Sequence, residues 1–237
     1  MSTDQHTPPF RSRCDLWFEL SVVLLLTVVP FLFNALASIF INHTDSTGDF
    51  TYQSLHTIVR SAGMIALILF IIHRSGEPPR VFGLVRLQKF KDPFAGLGIL
   101  VLTNVGYRIT WYFLFATLGR QAASRLGYHN SIFAAPSGQF ALSLLAVSSI
   151  ANGCAEELVC RAYLLSRFEQ LLGSTVLAWL LSSLLFGSYH IYQGIGGFVA
   201  ITTIGLIYGA IFCAIRRIWP IAIAHALQDF ISILALK

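Results

Sequence analysis

Charge is what this sequence has least of. Asp, Glu, Lys and Arg make up 11% of its 237 residues and hydrophobic residues 55%, whereas soluble domains carry about 25% charged residues. So little polar surface cannot clothe a water-soluble fold, and no polar stretch is long enough for a separate soluble domain. Metal-type cysteine pairs are missing too. The four cysteines (Cys14, Cys154, Cys160 and Cys213) form no CxxC, and three lie in apolar surroundings where a free thiol behaves as a small hydrophobe. There is no phosphate-cradling glycine loop, internal repeat or low-complexity tract. The net charge of +5 does not point to nucleic acid, because the basic residues gather in the connections between apolar runs.

What the sequence has in quantity is apolar helix. Segments near 16–41, 55–73, 94–118, 139–170, 174–190, 197–215 and 218–236 approach or exceed the roughly 20 residues that cross a bilayer. The expected fold is all-α, a polytopic helical membrane protein with seven or eight transmembrane helices in one membrane domain. Within it, 1–15 reads as a tail, 16–138 as scaffold helices and 139–237 as the chemical core. Arg11 and Arg13 precede the first span, and Arg74, Arg80, Arg86, Lys89 and Lys91 fill 74–93, while 42–54 holds Asp45 and Asp49 and no Lys or Arg. Positive charge marks cytoplasmic connections, so the N-terminus and the 74–93 segment are expected in the cytoplasm. Arg216 and Arg217 mark a third such connection; Arg120 and Arg125 run against the alternation.

A basic start followed by an apolar run and Ala35-Leu36-Ala37 suits a cleavable signal. The run continues to Ile41, beyond the usual signal core, so a retained first helix is expected. Pro30 should kink that helix, Trp17 and Trp219 should mark interfaces, and Arg108, inside the third span, should snorkel or find a buried acid. The 74–93 segment should form a loop with a short amphipathic piece on the headgroups.

Of the eleven acidic residues, Glu156, Glu157 and Asp229 lie deep in apolar segments, while Glu169, near a helix end, is expected to be solvated. His190 and His225 share their company. His43, His56, His73 and His129 fall in loops or near helix ends and need no special role. An ionisable group at membrane depth is expensive and marks function by default. Residues four apart share a helix face, which pairs Glu157 with Arg161 as a structural ion pair, Phe186 with His190, and His225 with Asp229. Glu156 then points about 100° away from the pair, a carboxylate with no local partner and a candidate general base. Measured along their own helices from Arg167, Ser174 and Arg217 respectively, Glu156, His190 and His225 fall inside a hydrocarbon layer about 30 Å thick, though not at one level. A continuous helix over 139–170 would be about 48 Å long, so a break at Asn152-Gly153 or a protrusion is expected.

One Glu and two His around a polar cavity suit two chemistries. Glu156 and His190 would hold and deprotonate a water, with His225 and Asp229 at the developing oxyanion. An ionised Asp229 would polarise His225 rather than donate. Alternatively, Glu156, His190 and His225 would ligate zinc with one position open.

The order EExxxR, FxxxH, HxxxD stands here as Glu156-Glu157-Leu158-Val159-Cys160-Arg161, Phe186-Gly187-Ser188-Tyr189-His190 and His225-Ala226-Leu227-Gln228-Asp229. It resembles the CAAX-protease and bacteriocin-processing (CPBP) family, type II CAAX prenyl endopeptidase-like intramembrane proteases, over about 139–237. The resemblance implies a glutamate-dependent peptidase in which the first Glu and the FxxxH histidine activate water and the last-helix His and Asn/Asp form the oxyanion site, with no obligatory cofactor. Two positions depart from the pattern: Cys160-Arg161-Ala162 replaces Phe-Arg-Gly, and Asp229 replaces the Asn of the prenyl-protein-processing members. The second weakens the transfer of a CAAX substrate more than that of proteolysis.

The expected function is therefore intramembrane cleavage of a membrane-associated peptide or protein, C-terminally prenylated or not, by an integral membrane enzyme whose other partner is the bilayer. The alternatives are a non-proteolytic membrane partner, such as a bacteriocin-type immunity factor or a signalling scaffold, and a proton-coupled transporter. No paired broken helices favour the last.

Overall fold

The computed structural model describes residues 12–40, 50–119, 121 and 136–235. Arg11, His43, Asp45, Asp49, Arg120, Arg125 and His129 lie outside them. Every regular element among the described residues is helical. A first rod runs through α1 (Arg13–Val23), a π-helical turn (Leu24–Val28) and α2 (Val29–Phe40). Then come α3 (Phe50–Ser75) and α4 (Lys91–Leu118). A second compound rod joins α5 (Gly138–Glu157), a π-helical stretch (Leu158–Leu165) and α6 (Ser166–Leu172). The chain ends with α7 (Thr175–Ser188), α8 (Gly194–Ile215) and α9 (Trp219–Leu234).

Among the described residues each of the seven apolar runs is mainly helical, but they are not equal. Five rods are long and apolar enough to cross a membrane: Arg13–Ala37, Phe50–Ser75, Lys91–Leu118, Gly138–Leu172 and Ile191–Ile215. α7, with 14 residues, reaches only about 21 Å, and α9 has 16 residues. The protein is thus a helical, integral membrane protein. Its polarity is inverted relative to a soluble fold: Phe18, Phe33, Val59 and Phe140 face outward, while Glu157, Arg161, Arg167 and Asp92 are buried. In lipid, the outward face need only be apolar, and polar groups must find partners inside.

Local chemistry sets several boundaries. Ser12 and Asp15 close a capping box at the start of α1, Ser174 accepts from the Leu177 amide at the start of α7, and Pro220 occupies the first turn of α9, where its missing N–H goes unmissed. The π-helical turn of the first rod ends at Val28, two residues before Pro30. The expected break at Asn152-Gly153 is not there; α5 runs straight through it. Gly153 instead lets α9 come close, since a Cβ there would stand 2.7 Å from the Ala226 amide nitrogen. The irregularity falls later, at Leu158, immediately after the two glutamates, where wider i→i+5 turns take over and all eight residues are buried. Such stretches concentrate at functional sites.

The bundle is continuous: α3 packs on α5, α5 on α9, α9 on α4, α4 on α8, and α8 on α7. One end is tied by ion pairs. Arg167 is fully buried, held by Glu19 at 3.0 Å, Glu77 and Gln170. Glu169 is not simply solvated but takes a two-pronged contact from Arg216, both arms 2.7 Å, and Asp92 pairs with Arg217 at 2.8 Å. The 74–93 segment is anchored to the bundle in its middle, where Phe82 is buried, the Ile218 amide donates to the Gly83 carbonyl and the Trp219 indole donates to Val85, while residues 86–91 are exposed. Arg108 is exposed and pairs with no acid among the described residues.

Candidate active site

The site begins with the last turn of α5. Glu156 and Glu157 are adjacent and both buried, and they separate as the 100° step demands. Glu157 Oε1 accepts from Arg161 Nη1 at 2.8 Å and also binds His225 Nδ1 at 2.7 Å. The pairing with Arg161 matches the spacing argument. The second contact does not follow from it: Glu157 ties the helix bearing the glutamates to α9. Arg161 is completely enclosed, donating to the Gly205 carbonyl at 3.2 Å and lying over Phe186 at 4.2 Å and Tyr208 at 5.3 Å.

Glu156 faces the other way, into a cavity of about 980 Å³ that also receives His190, His225 and Asp229. It lies in Coulombic reach of His225, His190 and Arg60, and Tyr189 donates to its Oε2 at 3.1 Å. His190 does not sit on a helix face as expected. α7 ends at Ser188 and the chain turns, leaving His190 just beyond it. The relation to Phe186 survives in another form, because His190 Nδ1 stands 2.9 Å from the Phe186 carbonyl. A carbonyl only accepts, so Nδ1 carries the proton and Nε2 of the neutral ring is left with a lone pair. The Phe186 ring then lies between the histidines, 5.2 Å from His190 and 5.6 Å from His225.

His225 has its Nδ1 on Glu157 and turns Nε2 toward Asp229 Oδ1 at 3.6 Å and Glu156 Oε2 at 3.9 Å. Asp229 Oδ2 accepts from Asn152 Nδ2 at 2.9 Å, and Asn152 Oδ1 accepts from Arg60 at 2.8 Å. Arginine only donates, which fixes the orientation of the Asn152 amide and makes Asp229 the acceptor. The result is a chain of contacts from one arginine to another: Arg161, Glu157, His225, Asp229, Asn152, Arg60. The four candidate catalytic residues and the ion pair therefore come together.

Three partners were not found from the sequence. Tyr189 and Asn152 are neighbours of motif residues, and the polarity of Asn152 one turn before Glu156 was an available signal. Arg60 comes from the presumed scaffold, with no local signal. The alternative zinc set includes His225 and Glu156. Tetrahedral zinc with bonds of about 2.0–2.1 Å holds two donors about 3.3 Å apart, whereas His225 Nε2 and Glu156 Oε2 stand 3.9 Å apart. Among the described residues no three His, Cys, Asp or Glu side chains are grouped to hold a metal ion. The cysteines are free, and of Cys154 and Cys160 only Cys160 is buried.

No curated protein and no solved structure matches the chain. Residues 138–231, which start with α5, end within α9 and carry all three motifs, match the family model described as "Type II CAAX prenyl endopeptidase Rce1-like". The segment that builds this site is thus similar to the Rce1-like type II CAAX prenyl endopeptidases, the likeness that its three motifs also carry.

Proposed function

We propose that the protein is an intramembrane endopeptidase that hydrolyses a peptide bond in a membrane-associated substrate, with its N-terminus in the cytoplasm. The observation that carries this reading is the convergence of Glu156, His190 and His225 on one cavity, with His190 held so that Nε2 keeps its lone pair. Glu156 takes a proton from a water shared with His190 Nε2 while the water oxygen attacks the scissile carbonyl. The carbonyl oxygen gains negative charge and is met by the Nε2–H of a protonated His225, whose charge is balanced by Glu157 and Asp229. Asp229, an acceptor from Asn152, orients His225 rather than donating to the oxyanion. Collapse of the tetrahedral intermediate breaks the C–N bond, and the proton held by Glu156 passes to the leaving amine.

Prenylated C-terminal peptides are the first substrates to try, since the matched family is named for them. Purified protein in vesicles, given prenylated and unprenylated peptides, should cleave at least one. Glu156→Gln and His190→Ala should each lose activity at least about 100-fold with unfolding curves close to wild type. A chelator should leave the wild-type rate unchanged; chelator-sensitive cleavage would replace this mechanism by the metal one. Full activity in Glu156→Gln would remove Glu156 from the mechanism, and absence of cleavage for every peptide would favour the non-proteolytic partner.

A further inference from the structure

The ion pairs gather one end of the bundle into a single basic layer. Arg13 at the start of α1 donates to the Leu171 carbonyl at the end of α6 at 2.7 Å. Arg167 of α6 holds Glu19 of α1 and Glu77, just past the end of α3. Glu169 of α6 binds Arg216, just past α8, and Asp92 at the start of α4 binds Arg217, just before α9. Arg74, Arg80, Arg86, Lys89 and Lys91 are exposed on the segment that joins α3 to α4 in this layer. The connections at the other end, 41–49 and 119–137, hold only Arg120 and Arg125. Lys and Arg in short connections mark the cytoplasmic side, and by that rule the basic layer belongs to the cytoplasmic face.

The cavity that holds Glu156 lies toward the opposite end. α3 lines it from Phe50 only as far as Arg60, α4 only from Asn104 onward and α9 only from His225 onward; no described residue of the basic layer lines it. On α9 exposure grows away from that layer: His225 is buried, Gln228 half-buried and Ser232 exposed. Trp111 and Tyr112 line the same outer part, and such rings favour a membrane–water interface. Between the site and the basic layer the way is closed. Arg161, Tyr163, Phe82 and Phe212 are fully buried there, and all eight residues of the π-helical stretch are buried too. From His225 to Ala235, which also lines the cavity, the rise is about 15 Å. An extended peptide advances about 3.3 Å per residue, so four to five residues span that depth.

We infer that the active-site cavity opens on the non-cytoplasmic face and takes its substrate from that side. The substrate class is then a peptide, or a segment of a membrane-anchored protein, already displayed across the membrane from the cytoplasm, with the bond attacked at Glu156 four to five residues in from the mouth. The inference rests on the proteolytic reading for what happens at Glu156, and on the bundle and its charges for the side. A protein held at the cytoplasmic surface meets the sealed, basic end instead. In detergent both kinds of substrate reach the site; in a sealed membrane only the first does.

The test uses sealed membrane vesicles from cells expressing the full chain, prepared right side out and inverted. Cys14 is free and exposed in the basic layer, so a charged, impermeant maleimide should label the wild type there in inverted vesicles and not in right-side-out ones. Ser232→Cys and Ala235→Cys, at the mouth, should add labelling above the wild-type level in right-side-out vesicles alone. The peptide cleaved fastest in detergent, made impermeant by a charged hydrophilic tag, should be cut by right-side-out vesicles, and by inverted vesicles only once detergent opens them. Mouth cysteines labelled in inverted vesicles, whether exclusively or as well, overturn the inference. So does cleavage that is latent in right-side-out vesicles. If one cysteine variant does not fold the other decides, and the latency of cleavage needs no variant. If no peptide is cut even in detergent, the proteolytic reading falls, while the labelling still decides on which face the cavity opens.

Discussion

Replacing Glu157 with Gln removes the one carboxylate that holds both Arg161 and His225. Arg161 and Glu157 are each 0% exposed and 2.8 Å apart, so the change leaves a guanidinium sealed from water without a counterion. The Gly205 carbonyl at 3.2 Å and the faces of Phe186 and Tyr208 remain, but none carries a full negative charge. Stripping one member from a buried pair costs about 3–5 kcal/mol. The Gln carbonyl can still accept from Arg161, which puts the expected loss near the lower end, about 3 kcal/mol. Adding Arg161→Met removes the orphaned charge and should recover at least half of that loss. Activity should not return with stability, because His225 Nδ1 has still lost its carboxylate. Equilibrium unfolding in mixed micelles and peptide cleavage on the same preparations measure both. A single-variant loss below about 1 kcal/mol, the value of an exposed pair, would refute the buried-pair argument. Recovery of cleavage in the double variant would refute the role assigned to Glu157 in holding His225.

Two further substitutions probe other parts of the assembly. Gly153→Ala places a Cβ 2.7 Å from the Ala226 nitrogen and 3.0 Å from its Cα, and backbone cannot swing aside; α9 should shift with His225 and Asp229, costing about 1–3 kcal/mol and most of the cleavage rate. Wild-type stability and activity in that variant would show that the helices have slack there. Tyr189→Phe keeps the ring contacts with Phe31, Phe186 and His190 and deletes the hydrogen bond to Glu156, so turnover should drop about 10-fold with little change in the unfolding midpoint. An unaltered rate would mean that Tyr189 does not position the base.

The motif residues were legible because membrane depth makes charge rare. Glu156, Glu157, His190, His225 and Asp229 stand out from apolar surroundings, and the i,i+4 rule finds the Glu157–Arg161 pair without any tertiary knowledge. The same reasoning misplaced other groups. Asp92, assigned to the 74–93 loop, is buried and paired with Arg217, because α4 begins before it and the connection ahead of α9 brings its own counterion. His190 left its helix because α7 stops two residues before it. Periodicity describes a helix but cannot say where the chain turns out of it.

The sequence by itself determined the class of environment and the chemistry on offer. Scarce charge and long apolar runs require a helical membrane protein, and the depth of five ionisable side chains singles them out. Which groups touch was decided only by packing. Glu157 reaches His225 across 68 positions of sequence, and Asn152 reaches Asp229 across 77, through a close helix crossing that Gly153 permits. Arg60, on α3, joins them only because that helix packs on α5. Local rules act over a turn or two of one helix; contacts between helices depend on which faces the whole bundle buries, and that is set by all the helices together.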